Sequence, residues 1–161
     1  MFKWLKARPV DWTGPEDLEF CCEATSNLQS FIVELLDAPL GSTIRILDVG
    51  AGPLTCLGKV WQGRKVEIIP VDALAREYTI LLKLCRVTAP IKTTFAQAEN
   101  LTLKYPRNYF DLVHARNSID HTFNPFLAIK QMIDVVKPNC FVFMRHYVNE
   151  GETANYTGLH Q

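Results

Sequence analysis

The feature that most constrains this chain is an apolar run, residues 44–49, that carries an acid and leads into two glycines. The run predicts a buried strand, with Asp48 near its end and Gly50 and Gly52 after it. Glycines at such a turn let the backbone turn sharply and approach a ligand closely. Pro53 predicts the start of a helix whose N-terminal N–H groups would face an anionic group. The stretch therefore predicts a site for a nucleotide-like or carboxylate-bearing ligand.

Length and charge narrow the class of protein. The chain has 161 residues, of which 48% are hydrophobic, and this suits one globular domain with a substantial core. Its 17 basic and 17 acidic residues balance, which argues against a general nucleic-acid binder. No apolar run is long enough for a membrane span, and the basic opening lacks the apolar core of a signal peptide. Five cysteines without a C-x-x-C pair predict buried thiols in a reducing compartment, hence a cytoplasmic location.

Strand and helix patterns alternate along the chain. The sequence predicts an arm over residues 1–12 and one long amphipathic helix over 13–38, with Thr13 as its N-cap. The predicted strands are 44–49, 66–71, 91–95, 109–114 and 140–148, and the further predicted helices are 53–61, 74–85 and 124–136. Asn124 and Pro125 suit the N-cap and first position of the last helix, and Asn139 suits a left-handed turn. The alternation predicts one doubly wound α/β domain with a mainly parallel sheet, helices on both faces and a core over 44–148.

Residues 46–52, Ile-Leu-Asp-Val-Gly-Ala-Gly, resemble motif I of class I S-adenosylmethionine-dependent methyltransferases. That family carries an acid where Asp48 stands, unlike the nicotinamide-binding Rossmann proteins. Residues 145–152, together with Asp120 and His121, resemble those of small bacterial methyltransferase-like proteins of unassigned acceptor. The third glycine of the dinucleotide motif G-x-G-x-x-G would fall at Thr55, and a third glycine frequent in the methyltransferases would fall at Leu54. The resemblance covers residues 44–150 and implies a Rossmann-like fold that binds S-adenosylmethionine and releases S-adenosylhomocysteine.

The resemblance also implies which residues hold the cofactor. Asp72 follows Asp48 by 24 residues, and an acid at the tip of the second strand can accept hydrogen bonds from both ribose hydroxyls; alternatively, it only caps the next helix. Residues 96–101 resemble the G-D-A-E-x-L segment, so the Gln97 amide oxygen would meet the adenine amino group, unless this is only a surface loop. The implied cofactor-binding residues are Asp48, Gly50, Ala51, Gly52, Asp72, Ala73, Gln97, Ala98, Ala115 and Arg116.

The acceptor side is expected beyond the fourth and fifth strands. Residues 110–117 resemble motif IV, and ligands of open α/β sheets sit beyond the carboxyl ends of the strands. Ala115 and Arg116 would line the methionine end of the cofactor through backbone groups. The residues expected to face the acceptor are Asn117, Asp120, His146, Asn149 and Glu150.

His121 is the candidate general base, because histidine has a reference pKa near 6.5 that suits proton removal near neutrality. The alternative is a histidine with a purely structural role. His114 lies inside a predicted strand and is expected to be structural, and Asp111 is expected only to cap its strand. The spacing of histidines and carboxylates matches no metal motif, so no metal is expected.

Together these patterns predict transfer of a methyl group from S-adenosylmethionine to an unidentified acceptor, for which a hydroxyl is one candidate. One alternative is a non-catalytic, methyltransferase-like subunit that binds the cofactor without turning it over. A less favoured alternative is a nicotinamide-dependent oxidoreductase, which would need a third glycine and no acid at position 48.

The resembled fold normally continues past the fifth strand with a helix and two more strands, whereas residues 149–161 lack a strand pattern. Residues 140–144 would then lie at an exposed, apolar sheet edge, which proteins normally cover. Two expectations follow: either the sequence is a piece of a longer protein, which is slightly favoured, or a second copy covers the edge in a two-fold homodimer. Both predict cofactor binding with weak or absent turnover by this chain alone.

Overall fold

A computed structural model describes residues 15–149, 152 and 155. Its strands form one sheet in the order β3-β2-β1-β4-β5, and all four neighbouring pairs run parallel. The strands are β1 (Thr43–Val49), β2 (Lys65–Asp72), β3 (Thr94–Phe95), β4 (Phe110–Arg116) and β5 (Val136–Arg145). The helices are α1 (Pro15–Cys22), α2 (Ser30–Val33), α3 (Ala75–Leu84), α4 (Leu101–Lys104) and α5 (Pro125–Val135). The prediction of a doubly wound, Rossmann-like α/β fold is confirmed.

The two faces of the sheet bury separate cores, because successive side chains of a strand point to opposite faces. On one face, Leu47 packs with Met132 of α5 and Leu101 of α4. On the other, Ile46 packs with Ile32 of α2. All of these side chains are fully buried, and each such burial contributes about 1.5–3 kcal/mol. The central strand β1 is thus held from both faces, and the edge where it meets β4 is the switch point at which ligands of such sheets bind.

The predicted long helix over 13–38 is wrong within the described residues. Helix α1 ends at Cys22, and only the short α2 follows. The Lys59 ammonium donates to the carbonyl oxygens of Phe20 and Cys21, both at 3.1 Å, and to the Ser26 hydroxyl at 3.2 Å. The Lys59 side chain, from a loop distant in sequence, therefore satisfies the free carbonyl groups at the end of α1 and holds the following residues in place. The predicted arm 1–12 and the cap at Thr13 lie outside the described residues.

The predicted helix over 53–61 is also wrong, because this segment pairs with the chain before α2. Leu28 N donates to Val60 O at 2.8 Å, and Lys59 N donates to Ser26 O at 2.7 Å. The backbones come so close that a Cβ on Gly58 would overlap the Asn27 carbonyl group. Consequently no helix N-terminus stands behind the glycine turn, and the expected contribution of a helix dipole to binding is absent.

The remaining elements follow the prediction with shifted ends. The Asn124 side chain accepts from Leu127 N at 3.0 Å and caps α5, and Asn139 has the predicted left-handed backbone, with φ +63°. Strand β5 begins directly after α5, and its register against β4 is interrupted between the Phe110 and Leu112 pairs. Strand β3 has only two residues. No helix in the described ranges is long and apolar enough to span a bilayer.

Strand β5 lies at one edge of the sheet, as expected. Phe141 on this strand is 39% exposed. Whether another segment or a second copy covers the edge stays a prediction.

Candidate functional site

The turn after β1 depends on its two glycines. Gly50 and Gly52 have φ values of +67° and +66°, a region that residues with a Cβ rarely adopt. The N–H groups of Gly50 and Ala51 donate to Val71 O at 2.9 and 3.0 Å, which ties the turn to β2. A Cβ on Gly50 would overlap the Ser118 side chain, whereas a Cβ on Gly52 would meet no atom within 4 Å. Packing therefore requires glycine at position 50, and open space lies beside position 52.

Asp72 at the end of β2 joins this turn to the start of α3. Its Oδ2 accepts from Gly52 N at 3.0 Å, and its Oδ1 accepts from Leu74 N at 2.8 Å. The local capping role that the sequence left open is thus present. An ionised carboxylate offers about four acceptor sites, so Asp72 has capacity for further donors on a ligand. Ala73 is exposed beside it.

The second acid of the predicted cofactor site, Asp48, points into the protein. Its side chain is buried; Oδ2 accepts from the Thr55 hydroxyl at 2.6 Å, and Oδ1 lies 2.6 Å from His114 Nδ1. Asp48 and His114 are register partners in β1 and β4. Asp48 therefore holds the glycine turn through Thr55, which stands where a dinucleotide motif has its third glycine. His114, expected to be structural, is buried on this carboxylate.

Asp111 lies at the opposite end of β4. Its carboxylate accepts from Arg45 N at 2.8 Å and from Lys137 Nζ at 2.6 Å. Asp111 thus links β4 to β1 and β5 at the end of the sheet that is far from the glycine turn. This agrees with the structural role expected for it.

The segment after β3 lies beside Asp72. Ala96 N donates to Asp72 O at 3.3 Å, and Phe95 is the register partner of Asp72. Gln97 is exposed, and its Oε1 accepts from Asn100 Nδ2 at 2.7 Å. Ala98 begins a 3₁₀ turn, Ala98–Asn100. The predicted adenine contacts are thus adjacent to the predicted ribose contact.

Acceptor-side residues meet beyond β4 and β5. Asp120 lies in the 3₁₀ turn Ile119–His121, with its Oδ2 3.2 Å from His121 Nε2 and its Oδ1 4.0 Å from His146 Nδ1. Asn117 N donates to Arg145 O at 3.0 Å, which keeps this turn against β5. The carboxylate therefore stands between two imidazoles. In the part of the chain that the structure describes, no group of three or more His, Cys, Asp or Glu side chains is arranged to hold a metal ion.

Two other residues are assigned to the acceptor. Asn149 is exposed in a turn beyond β5, and Glu150 lies outside the described residues.

One small pocket at this edge is not predicted by the sequence. It lies on the α2 side of β4 and β5 and is lined by Gln29, Phe31, Cys56, Leu57, His114, Arg116, Phe143 and Arg145. Burial, with a smaller effect of the nearby Asp48 carboxylate, raises the pKa of the Cys56 thiol to about 11. The register of β4 against β5, which brings the two arginines together, depends on the interruption near Phe110 and so could not be read from residue types.

Comparison with known proteins gives the family. A model of the methyltransferase domain matches residues 47–144, and no curated protein matches. The YcgJ protein from Bacillus subtilis is similar in structure, with a TM-score of 0.52 and 20% identity over 78% of this chain and 53% of that one.

Two archaeal structures are similar at 13% identity. One, described as an S-adenosylmethionine-dependent methyltransferase from Methanococcus maripaludis, has a TM-score of 0.52 over 78% of this chain and 57% of that one. The other is a complex of a methyltransferase-type protein with the Haloferax volcanii Trm112 activator, with a TM-score of 0.51 over 67% and 47%. The chain thus spans about half the length of these proteins, and at such identities the likeness shows the fold. Because the family match covers well over half of the sequence, from β1 into β5, this chain belongs to the methyltransferase-domain family.

Proposed function

We propose that this chain binds S-adenosylmethionine over the carboxyl ends of β1 and β2 and transfers its methyl group to an acceptor beyond β4 and β5. The observation that carries the proposal is the link between the glycine turn and Asp72, in which Gly52 N donates to the carboxylate at 3.0 Å. Open space beside Gly52 and the remaining acceptor capacity of Asp72 fit a ribose with two hydroxyls.

The other contacts follow from the order of the strands. Gln97 and Ala98, next to Asp72, would meet the adenine, and the backbone of Ala115 and Arg116 would meet the methionine end. Asp48 would stabilise the glycine turn without touching the cofactor, since its carboxylate bonds Thr55 and His114. No helix follows the turn directly, so recognition depends on Asp72 and on backbone groups more than on a helix dipole.

When bound, the cofactor supplies a methyl group that its sulfonium makes electrophilic. The protein then has to align the attacking atom of the acceptor and exclude water. For a hydroxyl acceptor, a base must take the proton, and His121 is the proposed base. The Asp120 carboxylate, 3.2 Å from His121 Nε2, would orient the ring.

We also propose a cytoplasmic setting. All five cysteines lie in the described residues and none forms a disulfide, which suits a reducing compartment.

Calorimetric titration of the chain with S-adenosylmethionine, S-adenosylhomocysteine and NAD tests the proposal. We expect the two sulfur nucleosides to bind with one site per chain and NAD not to bind. Tight binding of NAD without binding of either sulfur nucleoside would contradict the proposal and favour an oxidoreductase. Binding without formation of S-adenosylhomocysteine in the presence of hydroxyl, amine and thiol acceptors would favour a non-catalytic binding subunit.

A further inference from the structure

Helix α3 presents an apolar crest to solvent, formed by Ile80, Leu81 and Leu84. Ile80 and Leu84 lie one turn apart on the same side of the helix, and they are 61% and 77% exposed. Leu81, beside them, is 47% exposed. Of the ten residues of α3, Ala75 alone is buried. The helix therefore packs on the protein through a narrow side, and its apolar residues continue round to the side that faces away.

Basic residues border this crest. Residues 78–98 contain Lys83, Arg86 and Lys92 but no aspartate or glutamate, in a chain whose formal net charge is zero. All three basic residues are exposed. Lys83 lies next to the crest in the last turn of α3, whereas the acidic Glu77 lies in the first turn. The C-terminal half of the helix therefore combines exposed apolar side chains with positive charge.

Shape and charge decide what such a surface can bind. The outer side of a single helix is convex, whereas an amphipathic partner helix is normally recognised in a groove. In a two-fold dimer the crest would meet its own copy, which would bring Lys83 and Arg86 towards the same cations of the second copy. An anionic bilayer meets neither obstacle, because its surface is negatively charged and accepts an amphipathic helix that carries Lys or Arg beside its apolar side chains.

We propose that α3 docks the chain on an anionic phospholipid surface. Ile80 and Leu84 enter the boundary between headgroups and acyl chains, and Lys83 and Arg86 contact the headgroup phosphates. The helix lies on the membrane and does not cross it. Asp72 accepts from Leu74 N just before the helix begins, so the proposed cofactor site lies at the other end of α3 from Leu84. The inference goes beyond the proposed methyl transfer and does not depend on it.

Co-sedimentation of the whole chain with unilamellar vesicles tests the proposal. One set of vesicles is phosphatidylcholine alone, and the other is an equimolar mixture with phosphatidylserine. We expect the chain to partition into the mixed vesicles, less strongly as salt is added, and to bind phosphatidylcholine alone much more weakly.

Variants of the crest identify the surface that binds. Leu84→Ser should weaken partition into the mixed vesicles about tenfold, because the apolar area of Leu84 is no longer transferred from water. Lys83→Gln should weaken it about fivefold, the effect of one basic residue near an anionic surface. The matched control is Leu103→Ser, since Leu103 in α4 is 85% exposed, and this variant should bind like the parent chain. Equal partition of Leu84→Ser and the parent chain, or equal partition of the parent chain into both kinds of vesicle, would overturn the proposal.

Two further measurements test other uses of the crest. In urea denaturation, Leu84→Ser should lower the free energy of unfolding no more than Leu103→Ser does. A clearly larger loss would mean that another part of the chain covers the crest. In light scattering, self-association of the parent chain that is lost in Leu84→Ser would assign the crest to a second copy. Either result would overturn the assignment to a lipid surface.

Discussion

Asp48 and His114 face each other across β1 and β4, with Asp48 Oδ1 2.6 Å from His114 Nδ1. The same carboxylate accepts from the Thr55 hydroxyl. It thereby connects the turn that follows β1 to the wall of the small pocket at the ends of β4 and β5, where His114 stacks on Phe143. One buried acid thus supports the glycine turn and this pocket together.

Replacing His114 by Phe should lower the free energy of unfolding. The new ring can still stack on Phe143, but the buried Asp48 Oδ1 loses its partner, which costs about 1–3 kcal/mol. Urea denaturation measures the change. His121→Phe is the control, because His121 is 37% exposed and should cost much less. Equal stability of His114→Phe and the parent chain would show that Asp48 does not depend on this histidine.

The two glycines of the turn should respond differently to alanine. Both substitutions incur the cost of a left-handed backbone, about 1–2 kcal/mol. Gly50→Ala adds an overlap with Ser118, while Gly52→Ala meets open space. Gly50→Ala should therefore unfold at clearly lower denaturant concentration than Gly52→Ala, and Ser118→Gly should partly rescue the former. Failure of the second substitution to rescue Gly50→Ala would place the strain elsewhere.

Cys56 should resist alkylation. At pH 8, a thiol with a pKa of about 11 has about a hundredfold less thiolate than one at the ordinary value of 9.0. Exposed Cys85 provides the internal control. Brief treatment with iodoacetamide followed by peptide mass spectrometry should show modified Cys85 and unmodified Cys56. Comparable labelling of the two residues would contradict the raised pKa of the Cys56 thiol.

With a hydroxyl acceptor as substrate, His121→Ala should reduce the rate of methyl transfer by a factor of about 10²–10⁴, the usual contribution of a general base. Affinity for S-adenosylhomocysteine should stay nearly unchanged, because the ring lies on the acceptor side. Formation of S-adenosylhomocysteine at the parental rate in His121→Ala would return this histidine to a structural role.

Short-range sequence patterns were sufficient to predict most elements of the core. The apolar run before Gly50 and the Asn124–Pro125 start of α5 depend on neighbouring residues in sequence, and both predictions are confirmed. Asp72 likewise follows β2 and lies beside the turn. These features could be predicted because periodicity and capping act within a few residues.

The two failed helix predictions share one tertiary cause. The segments near Ser26 and Val60 have helical apolar spacing, but their backbones hydrogen-bond to each other instead. Gly58 permits that approach, and Lys59 reaches the end of α1. The intrinsic helix propensity of a segment is a weak preference, and tertiary contacts such as these override it. The small pocket lined by Arg116 and Arg145 could not be predicted for a similar reason, because it depends on the register between β4 and β5.

Calorimetry of S-adenosylhomocysteine binding to Asp72→Ala tests the central claim most directly, with Glu77→Ala as the matched control in the exposed start of α3. Loss of two charge-assisted bonds to the ribose should weaken binding by about 3–6 kcal/mol in Asp72→Ala, whereas Glu77→Ala should bind like the parent chain. Parental affinity in Asp72→Ala would contradict the account, since the glycine turn and its acid would then not form the cofactor site.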